Sequence, residues 1–236
     1  MPSTTRRCPH CGAELAPRTV VLMGRTVFAG WEECQCYGAR RERDEQARAD
    51  AERKGAEDAA RAERAARRAG VMPRFEHAEH PLAESCAGEM RQGHGVYIFG
   101  PVGTGKTCLA SATALLLVAQ GRRVRFTAMW RVLDAIKRGF RDGTDPLPAY
   151  QSVDFLFLDD LGKESPTDFA LERLFALVDE RSARMLPTCV TTQYRPSDLI
   201  ARLAKNGDRD TAVAIVSRLR QQCRMVETSG PDRRMQ

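Results

Sequence analysis

The chain has 236 residues and a formal net charge of +6. Hydrophobic residues make up 42% and charged residues 29%, enough apolar material for a packed core, which excludes a wholly disordered polymer. No apolar run is long enough to span a bilayer, and the N-terminus "MPSTTRRCPH" lacks the apolar stretch of a secretory signal, so a cytoplasmic location and no membrane partner are expected. The mild basic excess is compatible with nucleic-acid contact without establishing it.

Residues 1–38 carry four of the eight cysteines in two close pairs, Cys8/Cys11 and Cys34/Cys36. Four thiolates can complete a tetrahedral zinc shell. The stretch "TVVLMGRTVF" between the pairs predicts a hairpin turning near Met23-Gly24. A hairpin this small cannot stabilise itself by burial, so a metal would hold it. The Cys34-Gln35-Cys36 spacing is tighter than usual, which leaves His10 as an alternative to one thiol. The remaining cysteines, Cys86, Cys108, Cys189 and Cys223, are scattered singly and read as small hydrophobes.

Residues 39–69 contain only Ala, Gly, Gln and charged residues. Good helix formers and acid-to-base pairs four residues apart, such as Asp50/Lys54 and Glu57/Arg61, predict a helix. Without a Leu, Ile or Val stripe it reads as a solvated spacer, frayed at Gly55.

Residues 70–236 alternate short apolar runs with amphipathic stretches. Strands are predicted at Val96–Gly100, Val124–Thr127, Phe155–Asp159, Thr188–Thr192 and Met225–Glu227. Helices are predicted at Lys106–Gln120, Met129–Arg141, Thr167–Ala183, Pro196–Leu203 and Thr211–Cys223. This alternation implies an α/β fold with a five-stranded, mostly parallel sheet covered on both faces.

The first of those strands runs into "FGPVGTGKTCLA". The spacing Gly100-x-x-x-x-Gly105-Lys106-Thr107, after a strand and before a helix, is that of a phosphate-binding P-loop. Gly100, Pro101, Val102, Gly103, Thr104, Gly105, Lys106, Thr107 and Cys108 form the expected nucleotide-binding stretch. Backbone N–H groups would cradle phosphate, Lys106 would reach the β and γ oxygens of ATP, and Thr107 would ligate Mg2+. "DFLFLDDLG" ends a strand in two carboxylates. Asp159 is placed to hold the magnesium shell and Asp160 to act as the base that orients water. In "CVTTQY" Thr192 or Gln193 would emerge beside the γ-phosphate. Arg218 and Arg220 lie on a late helix whose Ile215, Val216 and Leu219 face inward. One of these arginines could act in trans on a neighbouring subunit's ATP.

With "GVMPRF", "GPVGTGKTCLA", "FLFLDDLG", "TTQY", "SRL" and the closing "GPDRR", residues 71–236 resemble the AAA+ ATPases of the DnaC-type helicase-loader and IstB-type group. The resemblance implies an AAA+ P-loop ATPase preceded by a zinc-bearing, helicase-docking module (1–38) and a charged linker (39–69). It implies that Gly100–Thr107 is Walker A, that Asp159 and Asp160 are Walker B, and that Arg218 is the arginine finger. Gln193 stands where the family usually has a sensor Asn, and Arg234 corresponds loosely to a late arginine. Partners implied are the replicative DNA helicase, single-stranded DNA, and further copies of the chain in a ring or spiral with ATP at the interfaces. The family also carries a helical insertion between its second and third strands, used on single-stranded DNA. Here "MWRVLDAIKRGFRDGTDPLPAY" fills that interval, with Lys137, Arg138 and Arg141 on a basic side and Phe140 available to stack on a base. The paired cysteines favour a helicase loader over the alternative, an IstB-like ATPase that regulates transposition. A small-molecule kinase would need a closing lid, and no such segment stands out.

Overall fold

The computed structural model describes residues 6–22, 24–206 and 208–232. Met23, at the predicted hairpin turn, and Arg234 lie outside the described residues. The chain divides into two compact units, Met1–Arg61 and Ala62–Gln236.

In the first unit β1 (Arg6–Arg7) pairs antiparallel with β2 (Glu14–Leu15), which brackets the first cysteine pair. β3 (Pro17–Leu22) and β4 (Arg25–Trp31) form the predicted hairpin, with Leu22 opposite Arg25 and Val20 opposite Val27. Val21 and Leu22 are exposed, so burial contributes little to the hairpin. α1 (Tyr37–Ala69) continues through Gly55, where the sequence predicts fraying. Arg53 pairs with Asp50 at 3.1 Å and with Glu57 at 4.0 Å on either side of that glycine, and each such pair adds a few tenths of a kcal/mol, about 0.2–0.5.

The second unit begins within the last turns of α1. Ala66 packs in an apolar cluster with Val71, Cys86, Leu109 and Val226. There follow α2 (Ala83–Arg91), β5 (Gly95–Phe99), α3 (Lys106–Ala119), β6 (Val124–Ala128), α4 (Met129–Asp142), α5 (Leu147–Gln151), β7 (Phe155–Asp159), α6 (Asp168–Ala183), β8 (Thr188–Thr192), α7 (Pro196–Leu203), α8 (Arg209–Gln222) and β9 (Cys223–Glu227). The five strands β5–β9 form one sheet in the order β6-β7-β8-β5-β9, and every pairing is parallel. β9 starts two residues before the predicted strand because Cys223 already pairs with Gly95.

Strand side chains alternate between the two faces. Tyr97, Phe99, Leu156, Leu158 and Val190 face a core shared with α4, α6 and α8. Val96, Ile98, Phe155, Phe157 and Cys189 face one shared with α2 and α3. Burial on both sides explains why β5 and β7 read as apolar runs, while β8 is equally buried although three of its five residues are threonine. Because all five strands run the same way, their carboxyl ends meet on one edge of the layer. There the loop after β5, the acidic end of β7 and the hydroxyl-rich end of β8 come together.

Candidate nucleotide site and thiol cluster

The loop between β5 and α3 is shaped by its glycines and by a strap from β9. Gly100 has φ 146°, and a Cβ there would collide with the Thr228 carbonyl. Gly105, with φ 90°, caps α3 in the left-handed region. Thr228 N donates to Phe99 O at 2.8 Å, and the Thr104 and Thr228 hydroxyls lie 2.7 Å apart. The side chain of Asp232 packs against Gly103. Lys106 is buried and donates to the carbonyls of Gly100 (2.8 Å) and Pro101 (2.5 Å). The Lys106 ammonium thus lies folded on its own loop, and a bound polyphosphate would offer it stronger, charged acceptors.

Across from this loop the Thr107 hydroxyl donates to Asp159 Oδ1 at 3.0 Å. The Thr191 hydroxyl donates to the same oxygen at 2.6 Å and accepts from the Asp160 amide at 2.9 Å. Burial raises the Asp159 pKa above the ordinary carboxylate value, against the lowering effect of the Thr191 and Thr107 hydroxyls. Asp160 has φ 57° and its Oδ2 pairs with Lys163 at 2.7 Å. The segment after it is fastened from below: Arg202 donates to the carbonyls of Gly162 (2.7 Å) and Glu164 (2.9 Å).

Between these walls lies an open pocket of about 320 Å³. Lys106, Thr107, Asp160 and Gln193 line it together with Arg74 and Phe75, whose guanidinium and ring stack at 4.5 Å. The chemistry of the donors suits ATP and a magnesium ion: backbone amides and an ammonium for phosphate, and the Thr107 hydroxyl and Asp159 carboxylate, both hard oxygens, for the cation. Thr192 does not enter the pocket, because it is buried with its hydroxyl on the Leu161 carbonyl at 2.7 Å. Arg218 is not among the pocket residues. It pairs with Asp179 at 2.6 Å and lies 5.0 Å from the centre of the Phe175 ring. Three contributors are not singled out by the sequence motifs: Thr191, Lys163 and the Arg74/Phe75 pair. The only signal for the last is their position in "GVMPRF".

On α4, Val132, Leu133 and Ile136 are buried as expected, while Trp130 and Phe140 are exposed. Phe140 meets Phe169 at 6.1 Å, and Lys137 lies over the Phe169 ring at 5.8 Å. Arg138 is paired with Asp134 at 2.9 Å.

In the first unit the ligand atoms of Cys8, Cys11, Cys34 and Cys36 all lie within 4.8 Å of one another. Cys8 and Cys36 sulfurs are 3.8 Å apart and those of Cys11 and Cys34 are 3.5 Å apart. Thiolates on a tetrahedral ion at about 2.3 Å have sulfur separations of about 3.8 Å, so the set fits zinc. The backbone amide at His10 pulls the Cys8 thiol down to about 6, whereas Cys11, despite the Ala13 amide, is pushed up to about 12 by the Cys34 and Cys36 sulfurs, so a metal would have to displace its proton. His10 itself turns away, with Nε2 2.7 Å from Glu42. Four cysteines, without the histidine, make up the cluster.

A parallel sheet in this order, with a glycine-rich loop on β5 and paired carboxylates on the next strand but one, is the P-loop fold of the AAA+ class. The profile of the family described as IstB-like ATP binding protein matches residues 85–236, and the chain belongs to that nucleotide-binding family. It is similar to the replicative helicase loader DnaI of Bacillus subtilis, 27% identical over 114 residues that cover 47% of this chain and 37% of that protein. It is also similar to an insertion-sequence ATP-binding protein of Pseudomonas fluorescens, 30% identical over 122 residues that cover 50% of this chain and 52% of that protein. The match therefore spans about half or less of the length of these relatives. The crystal structure of the DnaC helicase loader aligns with a TM-score of 0.58 at 22% identity, covering 67% of this chain and 100% of that one, which shows likeness of fold.

Proposed function

We propose that this protein is an ATP-dependent loader of the replicative DNA helicase, with residues 1–38 docking on the helicase and the ATPase unit assembling on single-stranded DNA. The observation that carries the reading is the coexistence of a P-loop pocket lined by Lys106, Thr107 and Asp160, with Asp159 bonded to Thr107 beside it, and a four-thiol unit outside the family match. Zinc in that unit would crosslink the two cysteine pairs and fix the hairpin between them as a rigid docking surface.

ATP is the substrate. Amides of residues 101–105 and the Lys106 ammonium bind the β- and γ-phosphates. Thr107 and Asp159 would hold magnesium, which neutralises charge on the β and γ oxygens. Asp160 leaves Lys163 to accept a hydrogen bond from the attacking water and takes its proton as the bond from the γ phosphorus to the bridging oxygen breaks, with ADP leaving as the anion. Gln193 stands at the pocket rim to report on the γ-phosphate. Arg218 sits outside its own pocket, which suits delivery to the pocket of an adjoining copy in a ring or spiral. Phe140, Lys137 and Arg141 on α4 offer an aromatic and basic face to single-stranded DNA.

A second reading has its own support: the matching family profile and the Pseudomonas relative both point to insertion sequences. In that reading the same motor recruits a transposase to DNA. The two are separated by pull-down of a replicative helicase with the full chain and with the Cys8→Ser/Cys11→Ser variant. The loader reading predicts capture by the first and loss with the second. No capture by either would favour the transposition reading.

A further inference from the structure

β6 forms one edge of the sheet, and the groove beside it is basic. An open groove of about 580 Å³ runs along this edge, lined among others by Arg68, Arg123, Arg125, Thr127, Tyr150 and Ser152. No lining residue is acidic; Asp154, which faces Arg123 at 3.6 Å, lies outside the lining. Gly70 closes the bottom of the groove, because its Cα packs on the Phe126 carbonyl so closely that a Cβ would collide with it. The run "RRVRF" (Arg122–Phe126) supplies the charge. Strand alternation puts Phe126 in the core and turns Arg125 and Thr127 to the other face.

The placement of Arg125 narrows the kind of ligand. Its guanidinium lies 4.1 Å from the centre of the Tyr150 ring, while the residue itself is exposed and Tyr150 is buried. The ring lies against the guanidinium on one side, and Arg125 as a whole stays exposed to solvent. A flat cation presented in this way stacks a nucleobase, and Arg123 and Arg68 beside it suit phosphates. An acidic peptide would use the charge and leave the plane unused.

We propose that the β6-edge groove binds a stretch of single-stranded nucleic acid, with a base stacked on Arg125 and phosphates on Arg123 and Arg68. The inference rests on the DNA-binding reading above and adds a contact surface separate from α4. The structural alternative is that the arginines serve only to keep an exposed edge from pairing with another strand.

The test is fluorescence anisotropy with the full chain and a labelled oligothymidylate, titrated at several salt concentrations. Arg125→Gln should weaken binding about tenfold. The Arg68→Gln/Arg123→Gln pair should reduce the slope of log K against log salt by about 1.4, two single-strand phosphate contacts. Arg125→Lys should keep the slope and still lose affinity. Unchanged binding of a fluorescent ATP analogue shows that each variant is folded. If affinity and slope are unaltered in the double variant, the groove does not bind nucleic acid and the edge charges only deter strand pairing. If the pair instead lowers affinity for a labelled polyglutamate peptide alone, the ligand is an acidic protein and the inference falls. If Lys137→Ala/Phe140→Ala abolishes binding while the groove variants do not, only the groove inference fails. If the unaltered chain binds no oligonucleotide, the DNA-binding reading fails with it.

Discussion

The Thr191 hydroxyl donates to Asp159 Oδ1 at 2.6 Å and accepts from the Asp160 amide at 2.9 Å. One side chain at the end of β8 thereby orients both carboxyl-bearing residues at the end of β7. Thr191→Val keeps the shape and removes both bonds. It should lower ATP turnover about tenfold, equivalent to about 1.4 kcal/mol, while Thr191→Ser restores it. Steady-state phosphate release measures this, and a valine variant at full activity would remove Thr191 from the account.

Asp159 is buried, and its carboxyl titrates above the usual 3.8 because burial disfavours the charged form. A carboxyl whose folded pKa is raised contributes most to stability in acid, and that contribution is lost as pH rises through the folded pKa. Asp159→Asn should therefore abolish hydrolysis and yet raise the melting temperature at neutral pH. The gain should shrink as pH falls toward the ordinary carboxylate range. Thermal melts of both proteins across acid to neutral pH check the sign.

The four-thiol unit should bind one zinc ion per chain, since the sulfurs of Cys8, Cys11, Cys34 and Cys36 already lie within 4.8 Å of one another. Chelation, or Cys8→Ser with Cys11→Ser, should open residues 6–36 to protease while the unit from Ala62 onward stays resistant. Metal analysis that finds no zinc in freshly purified protein contradicts this.

Arg181 is buried, 1% exposed, and spends its donors on backbone. It reaches the carbonyls of Tyr150 (3.1 Å), Val153 (2.7 Å) and Pro187 (2.8 Å) and the Thr188 hydroxyl (2.9 Å). Burial brings its pKa down to about 10. Arg181→Met leaves several buried acceptors without donors and should cost about 3 kcal/mol, roughly 6–12 °C in melting temperature. Calorimetry measures the shift, and a loss below 2 °C would show that those carbonyls find water instead.

The sheet was legible because β5 and β7, buried on both faces, are apolar runs of strand length, and because β8 is built of β-branched Thr and Val around Cys189. The nucleotide pocket was legible where chemistry imposes spacing, at Gly100–Thr107 and at Asp159-Asp160. What the sequence hid depends on tertiary approach. Thr191 looks like any strand threonine until the parallel register brings β8 beside β7. Arg181 resembles the solvated arginines around it until the end of α5, Val153 and the start of β8 close over it. Arg125 reads as a surface charge until Tyr150, 25 residues on, is placed beneath it. The continuity of α1 through Gly55 shows the converse, with local ion pairs outweighing the poor helix propensity of one glycine.

The central claim is a nucleotide pocket completed by an arginine from a neighbouring copy, and the most direct test mixes two inactive variants. Lys106→Ala should neither bind nor hydrolyse ATP, whereas Arg218→Ala should bind ATP as tightly as the unaltered chain without hydrolysing it. Combined in the presence of single-stranded DNA, they should recover part of the phosphate release, because intact Arg218 of one variant meets intact Lys106 of the other. Full activity of Arg218→Ala on its own, or no recovery in the mixture, would contradict it.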